Sequence, residues 1–557
     1  MIANRAGRNA FAGAVALGVA IRAVEFLNCR SLGLDEARTA INVVSRGFGA
    51  LLRPLDLDQT APPVFLWAER IAWLLGRSDC ALRAVPVAAG TSAAILCYPL
   101  ARRFLADAPA RLAGLVALFA PLFLTYANAV KQYSTELLVA IVLLLLFDRA
   151  FSVERDRHLE RTALVAGALA PWVALSSVFV LTTAWVLLVV RATRRSAAYA
   201  RLVVSVSLLW GASCVGAYLG VYRAADTSPY LHRFWEHAFL QPGRPGLTPD
   251  AAKILEDLVW AFVAGDPLAD RRPLGVLLPV GCGVIVLLCV IGAAWVRQSR
   301  GWSATWWLCG PAAATLLASM LGLFPIAPRL TLFLMPGAIV LVVAGLEAIL
   351  VRTEVGPGLR AVLGMLLLAA PLGCVAMLRS LSLEPPGHFA QLVNELNARR
   401  SPGEQVYVFA RSLPAWIFYS MDWAHPDSTR LRYLLASADA SGFAFENAPS
   451  RGRVRAQEVL AAAPSPRALG ELLGLPSGME WVEVREQLRT APDSGWVDTE
   501  TRRIEGAATP GVWVLASTFY GAETELFSTL ERDAARRTFA NLRPGSALVR
   551  YEFATTR

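Results

Sequence analysis

The sequence predicts an α-helical multi-span membrane protein with about eleven transmembrane helices and a C-terminal soluble α/β domain. Three observations lead there. Of 557 residues, 55% are hydrophobic and only 17% charged, and the mean hydropathy is +0.46, more apolar than one soluble core requires. Apolar runs approaching the roughly 20 residues of a spanning helix recur along the first two thirds of the chain. From Glu384-Pro385-Pro386 onward charged residues become frequent and the apolar runs shrink to strand length.

The segments fall near 10–27, 84–101, 112–127, 133–150, 162–176, 178–190, 202–221, 274–296, 304–324, 330–350 and 360–379. The stretch 162–190 is long for one helix and short for two, with Pro171 and Ser176-Ser177 in its middle. Two short passes or a re-entrant pair fit it better than one span. Arginines set the orientation: Arg5 and Arg8 in the N-terminal tail, then Arg102, Arg103 and Arg111, then Arg149, Arg155, Arg157 and Arg161, then Arg191, Arg194, Arg195 and Arg201. Basic loops stay in the cytoplasm. An odd number of passes then places 384–557 outside, together with loops 28–83, 126–132, 222–273 and 325–329. The expected domains are therefore 1–383, with 28–83 as its first outer loop, and 384–557.

Arg22 and Glu25 interrupt the first apolar run, which reads as a retained helix rather than a cleaved signal peptide. Three residues apart, they share a helix face and read as a buried structural contact. None of the eight cysteines lies beyond 383, and no spacing matches a zinc or CxxC motif. Cys29 and Cys80, at the edges of the first outer loop, read as two apolar cysteines near helix ends, with pairing in an oxidising compartment as the alternative.

In the C-terminal domain, 388–400 and 414–421 have helical spacing, 405–409 reads as a strand, and 512–517 and 547–553 read as strands around an amphipathic helix at 523–537. Helices on a small sheet fit this order. Neither a GxGxxG nor a Walker sequence is present, so nucleotide binding has no support. The net charge of +10 comes from short loops between apolar runs, which report orientation rather than a nucleic-acid partner.

Three positions carry candidate chemistry. Asp35-Glu36 follows the first apolar run, as catalytic carboxylates or as solvated loop residues. Lys131 is one of two lysines in a chain that otherwise writes arginine. It sits in the tight connection Asn128-Ala129-Val130-Lys131-Gln132-Tyr133-Ser134, where a compact ammonium suits a phosphate or snorkels to water. Arg329 lies in Phe324-Pro325-Ile326-Ala327-Pro328-Arg329-Leu330, where the prolines fix the chain's approach and a guanidinium clamps phosphate well. A carboxylate, a lysine and an arginine on one membrane face match glycosyl transfer from a polyprenyl-phosphate sugar. The carboxylate takes the acceptor's proton and the cations stabilise the departing phosphate.

On these residues the chain resembles the GT-C fold lipid-linked glycosyltransferases, in the branch of protein O-mannosyltransferases, lipid A aminoarabinose transferases and lipopolysaccharide-core galacturonosyltransferases. The resemblance covers about 10–420. It rests on Asp35-Glu36, on Pro62-Pro63-Val64-Phe65-Leu66 opening a membrane-lying helix, and on Gly76-Arg77-Ser78-Asp79-Cys80-Ala81-Leu82-Arg83-Ala84-Val85-Pro86. Lys131-Gln132-Tyr133-Ser134, Pro328-Arg329-Leu330 and Pro402-Gly403-Glu404-Gln405-Val406-Tyr407-Val408 complete it.

The resemblance implies Asp35 as general base, Glu36 as a neighbour shaping acceptor or metal contacts, and Lys131 and Arg329, with Tyr133, at the donor phosphate. Tyr126, His232 and Trp235 are candidate sugar contacts, with an interfacial aromatic belt as the alternative. The family often has a basic residue or histidine before the Pro-Pro pair. Here Thr60-Ala61 stands there, leaving Asp58 and Gln59 as substitutes. No cofactor is assigned, and a divalent metal has no support: of His158, His232, His237, His388 and His425 only His232 and His237 approach a ligand spacing. The implied protein is an inner-membrane enzyme whose partners are a polyprenyl-phosphate sugar, a glycan, lipid or protein acceptor and the bilayer. The competing readings are a lipid or glycan flippase or transporter, which would show repeated halves and mid-membrane charges, and a non-catalytic envelope assembly partner.

Overall fold

A computed structural model of the chain describes residues 2–152, 156–194, 197–226, 228–241, 247–264, 278–354, 356, 358, 389–401, 404–409, 412–428, 430–432, 434–435, 444–446, 497–498, 501–502, 504–505, 511–517, 522–534, 536–543 and 546–553. The chain divides into two compact units. One comprises Met1–Cys29, Thr60–Thr227 and Leu231–Leu381; the other comprises Arg30–Gln59, Ser228–Tyr230 and Ser382–Arg557.

In chain order the helices begin with α1 (Ile2–Leu27), α2 (Leu34–Ser45), α3 (Pro63–Gly76), α4 (Asp79–Phe104), α5 (Asp107–Phe119), α6 (Pro121–Ala127), α7 (Tyr133–Ala150) and α8 (Arg157–Val173). They continue with α9 (Ser177–Arg194), α10 (Ala197–Ala217), α11 (Arg223–Asp226), α12 (Pro229–Trp235), α13 (Leu247–Ala264), α14 (Leu278–Arg300), α15 (Trp302–Met320) and α16 (Met335–Arg352). Among the described residues five helices are long and apolar enough to cross a membrane: Gly7–Leu27, Asp79–Phe104, Tyr199–Tyr222, Leu278–Arg300 and Leu332–Arg352. There are six if Asp107–Phe119 and Pro121–Ala127, bent by 50°, form one broken span. Pro121 explains the bend, because it cannot continue the hydrogen-bond ladder of α5.

The other expected segments up to 350 are helical but fall short of that criterion. Glu136, Asp148 and Arg149 charge α7, α8 and α9 are short, and Trp302, Trp306 and Trp307 dilute the apolar character of α15. The stretch 162–190 is two helices, α8 and α9, separated at Ala174–Ser176. The eleventh expected segment, 360–379, lies outside the described residues.

Small residues let the helices approach closely, as in membrane bundles. A Cβ at Gly292 of α14 would overlap the Leu341 carbonyl oxygen of α16, and one at Gly345 would overlap the Leu288 carbonyl oxygen. Ala93, Cys97 and Ala101 of α4 join Ala113 and Ala117 of α5 and Leu137, Ile141 and Leu144 of α7 in a buried core. Cys29 and Cys80 form a disulfide with Cα atoms 4.9 Å apart, which corrects the expectation of two separate apolar thiols. The end of α1 and the start of α4 lie side by side, within the reach a disulfide requires.

Among the described residues of the second unit a five-stranded sheet has the order β2-β1-β3-β5-β4, from β1 (Gln405–Val408), β2 (Ala444–Glu446), β3 (Val512–Ser517), β4 (Arg536–Arg543) and β5 (Ser546–Glu552). β1 and β3 pair in parallel and the other neighbours antiparallel. Among the described residues, α17 (Phe389–Arg399), α18 (Leu413–Ser420) and α19 (Ala522–Asp533) accompany it. Tyr407, Val512, Val514, Val549 and Tyr551 bury one face against Leu526 and Leu530 of α19.

Glu404 is buried just before β1. It accepts hydrogen bonds from Trp513 Nε1 at 2.8 Å, from Arg550 at 2.6 and 2.9 Å and from the Ser401 amide at 3.0 Å. Burial alone would raise its carboxyl, but the Trp513, Ser401 and Arg550 donors outweigh that and hold it below the usual carboxylate range. The helix expected over 523–537 ends at Asp533, and Arg536 and Arg537 begin the edge strand β4 instead.

Candidate functional site

The candidate base is carried by α2, in the second unit, which begins where the sequence suggests a loop. Gly33 is the N-cap, and Glu36, at the third helical position, accepts the Gly33 amide at 2.8 Å. A carboxylate reaching back to an otherwise unpartnered helix-end amide stabilises the first turn. Arg30 lies 3.8 Å from the other Glu36 oxygen. Glu36 is thus a buried capping residue, while Asp35, one position earlier, is half-buried.

The back of α2 is fixed by Asn42, which is fully buried. It accepts the Asp56 amide at 2.8 Å and donates to the Asp56 carbonyl at 3.1 Å. Arg46 adds an ion pair to Asp56 at 2.7 Å. This clamp holds Leu57 and Asp58 in left-handed backbone conformations, with φ of 63° and 53°. α2 packs on α18, where the Tyr419 hydroxyl accepts the Leu32 amide at 2.5 Å.

In the first unit, Lys131 occupies the connection from α6 to α7 and is only 8% exposed. The turn is tight: the Lys131 amide donates to the Ala129 carbonyl at 2.7 Å, and Ser134 Oγ closes onto the Tyr126 carbonyl at 2.7 Å. Gly90 of α4 makes room for it, since a Cβ there would lie 2.7 Å from that of Ala127 and 3.1 Å from Ser134 Oγ. Three further segments grip the turn. The Asn128 side-chain amide donates to Glu25 of α1 at 2.9 Å, Arg83 of α4 donates to the Asn128 carbonyl, and Gln132 donates to the Thr60 carbonyl at 3.2 Å. Tyr126 and Tyr133 meet edge to face with centroids 5.2 Å apart.

Arg329 follows α15 in the same unit. Its guanidinium lies 4.9 Å over the Trp235 ring, a cation–π contact that restricts the side chain. The segment bearing Trp235 is tied to α15 and the Arg329 segment by hydrogen bonds: the Ile326 amide donates to the Ala238 carbonyl at 2.7 Å, and Ser319 Oγ of α15 accepts the Leu240 amide at 3.0 Å. His232 is exposed, with Nε2 against the Asp226 carbonyl, and its ring stacks towards Phe239 at 6.4 Å.

The structure therefore joins Lys131 with Tyr126 and Tyr133 in one turn, and Arg329 with Trp235 in one contact. Asp35 and Glu36 belong to the other unit. Sequence reasoning passed over Asn42, whose clamp shows no motif, and over Asn128 and Arg83 as hydrogen-bonding partners. Arg22 and Glu25 do interact through their charges, as the sequence suggested, and each has a further partner: Arg22 donates to its own helix at Gly18, 3.0 Å away, and Glu25 accepts from Asn128. The signal for these residues was polarity itself, since buried charge inside apolar helices is costly enough to require a partner. Among the described residues no group of three or more His, Cys, Asp or Glu is placed to hold a metal ion.

No protein-family model matches the chain, and no curated protein sequence matches it. Solved structures are similar along much of its length. ArnT from Cupriavidus metallidurans in the apo state shares 15% identity over 98% of each chain, with a TM-score of 0.45. ArnT from the same organism bound to undecaprenyl phosphate shares 15% over 96% of this chain and 97% of that one, with a TM-score of 0.43. The oligosaccharyltransferase of Archaeoglobus fulgidus in complex with Zn and sulfate shares 13% over 70% of this chain and 55% of that one, with a TM-score of 0.43.

Proposed function

We propose that this chain is an integral membrane glycosyltransferase that moves a sugar from a polyprenyl-phosphate donor to an acceptor hydroxyl of a cell-envelope glycan, lipid or protein. The observation that carries the reading is Lys131: a lysine in an arginine-writing chain, buried in a turn gripped from α1, α4 and Thr60. An ammonium held there supplies fixed positive charge to a lipid phosphate, and Arg329, steadied by Trp235, supplies a second cation.

In the proposed reaction the acceptor oxygen attacks the anomeric carbon while Asp35 takes its proton. The bond from that carbon to the phosphate oxygen breaks, and polyprenyl monophosphate leaves with the electron pair, its charge stabilised by Lys131 and Arg329. Glu36 acts through the first turn of α2, which it caps beside Asp35. Tyr133 braces the Lys131 turn, and Tyr126, His232 and Trp235 offer rings to the sugar.

The proposed arrangement is eleven passes of the plasma membrane, with the N-terminus in the cytoplasm and 384–557 as an extracytoplasmic soluble domain. The Cys29–Cys80 disulfide supports an oxidising location for the 28–83 segment. Purified protein given a labelled polyprenyl-phosphate sugar should release polyprenyl monophosphate in step with labelled acceptor. A flippase would move the donor across the bilayer uncleaved, and an assembly partner would leave it untouched.

A further inference from the structure

A half-buried carboxylate of α1 and a buried guanidinium of α4 meet at one asparagine, Asn128, at the end of α6. Glu25 is a carboxylate in a helix long and apolar enough to span a bilayer, and it accepts the Asn128 side-chain amide at 2.9 Å. Arg83, fully buried in α4, donates to the backbone carbonyl of the same asparagine. Asn128 is held at both its side chain and its backbone, three residues before Lys131. Between them the Lys131 amide folds back onto the Ala129 carbonyl, so the chain from Asn128 to Lys131 has little freedom to rotate. Acidic and basic side chains are retained in membrane helices where their placement is used, and Asn128 is bonded to one of each, Glu25 and Arg83, partners that make stronger hydrogen bonds than neutral ones.

Resting on the reading of Lys131 as a donor-phosphate ligand, we propose that Glu25, Arg83 and Asn128 are positioning residues that set the Lys131 turn for the phosphate of a polyprenyl monophosphate. They touch no substrate; they act through Lys131. Losing one charge-assisted hydrogen bond in such a frame corresponds to about tenfold in affinity.

The test is a double-mutant cycle read by equilibrium binding of a short-chain polyprenyl monophosphate to the full-length protein in detergent, with thermal unfolding measured alongside. Asn128→Ala should weaken binding about tenfold with Lys131 present and by less than about twofold in the Lys131→Ala background, because the residue works only through the lysine. Equal weakening in both backgrounds, or wild-type binding by Asn128→Ala, overturns the proposal. Should Asn128→Ala fail to fold, Glu25→Gln keeps the size and an acceptor oxygen while removing the charge. It should weaken binding about threefold with Lys131 present and not without it, and wild-type binding by Glu25→Gln overturns the proposal. A wild-type protein that does not bind the monophosphate overturns the donor reading and the proposal together. A wild type that binds, with independent mutational effects, overturns the proposal alone.

Discussion

Replacing Asn42 by alanine should loosen the segment behind Asp35 without touching Asp35 itself. Two reciprocal bonds to the Asp56 backbone, at 2.8 and 3.1 Å, disappear. Each contributes about 1 kcal/mol net, because half-buried Asp56 regains some water. Leu57 and Asp58, held at positive φ, then lose the restraint that keeps them strained, and left-handed non-glycine backbone costs about 1 kcal/mol or more per residue. The local opening free energy of 53–59 should therefore fall by about 2–3 kcal/mol. That corresponds to roughly 30- to 150-fold faster hydrogen exchange of these amides. Exchange read by mass spectrometry on the full chain checks this, with peptides from α4 as an internal reference. Asp58→Gly in the Asn42→Ala background should recover part of the protection, since glycine accepts positive φ without strain and half-buried Asp58 gives up little packing, unlike buried Leu57. Unchanged exchange in Asn42→Ala would refute the clamp as the element that orders this segment.

Other expectations follow from the rest of the molecule. Glu404→Ala leaves buried donors on Trp513 and Arg550, although Arg550 keeps Glu552 as a partner, so denaturation should show a loss of about 2–3 kcal/mol. Because the folded Glu404 carboxyl is lowered from its ordinary 4.5, its stabilisation should be complete above about that pH and lost as the pH falls through its lower folded value. The wild-type protein should therefore lose its advantage over Glu404→Gln in acid, as thermal unfolding across pH 2–6 would show. Changing both Cys29 and Cys80 to serine reopens a 51-residue separation; chain entropy sets the upper loss near 4 kcal/mol, seen as a lower unfolding temperature that reductant reproduces in the wild type. Gly345→Ala should destabilise by about 1–3 kcal/mol by forcing α14 and α16 apart, whereas Gly283→Ala, which meets open space, should not.

Periodicity and hydropathy made the helical unit readable. Among the described residues each apolar run up to 350 falls mainly in helix, because a backbone in lipid must satisfy its own hydrogen bonds. The carboxylates were legible as residues but not as a helix, since Gly33 is a modest N-cap signal and Glu36 reveals its capping role only by reaching back. Only the first two residues of β4, Arg536 and Arg537, read as the tail of α19, and the rest of the strand has no signal. An edge strand whose Arg536, Arg537, Thr538 and Ala540 are exposed has no alternating apolar face to announce it. The disulfide stands in the sequence only as the alternative to two separate thiols, because spacing does not show that the ends of α1 and α4 adjoin. Asn42 and Asn128 were missed for a shared reason: each works by gripping backbone distant in sequence, which leaves no local pattern.

Glycosyl transfer by this chain is tested by release of polyprenyl monophosphate from a labelled polyprenyl-phosphate sugar by the purified wild type and by Asp35→Asn. The substitution preserves size and removes proton acceptance. With unfolding temperature unchanged, Asp35→Asn should lower acceptor-dependent release by about 10²- to 10⁴-fold. Release by Asp35→Asn at the wild-type rate would contradict Asp35 as the base, and a wild type that releases no monophosphate would contradict glycosyl transfer itself.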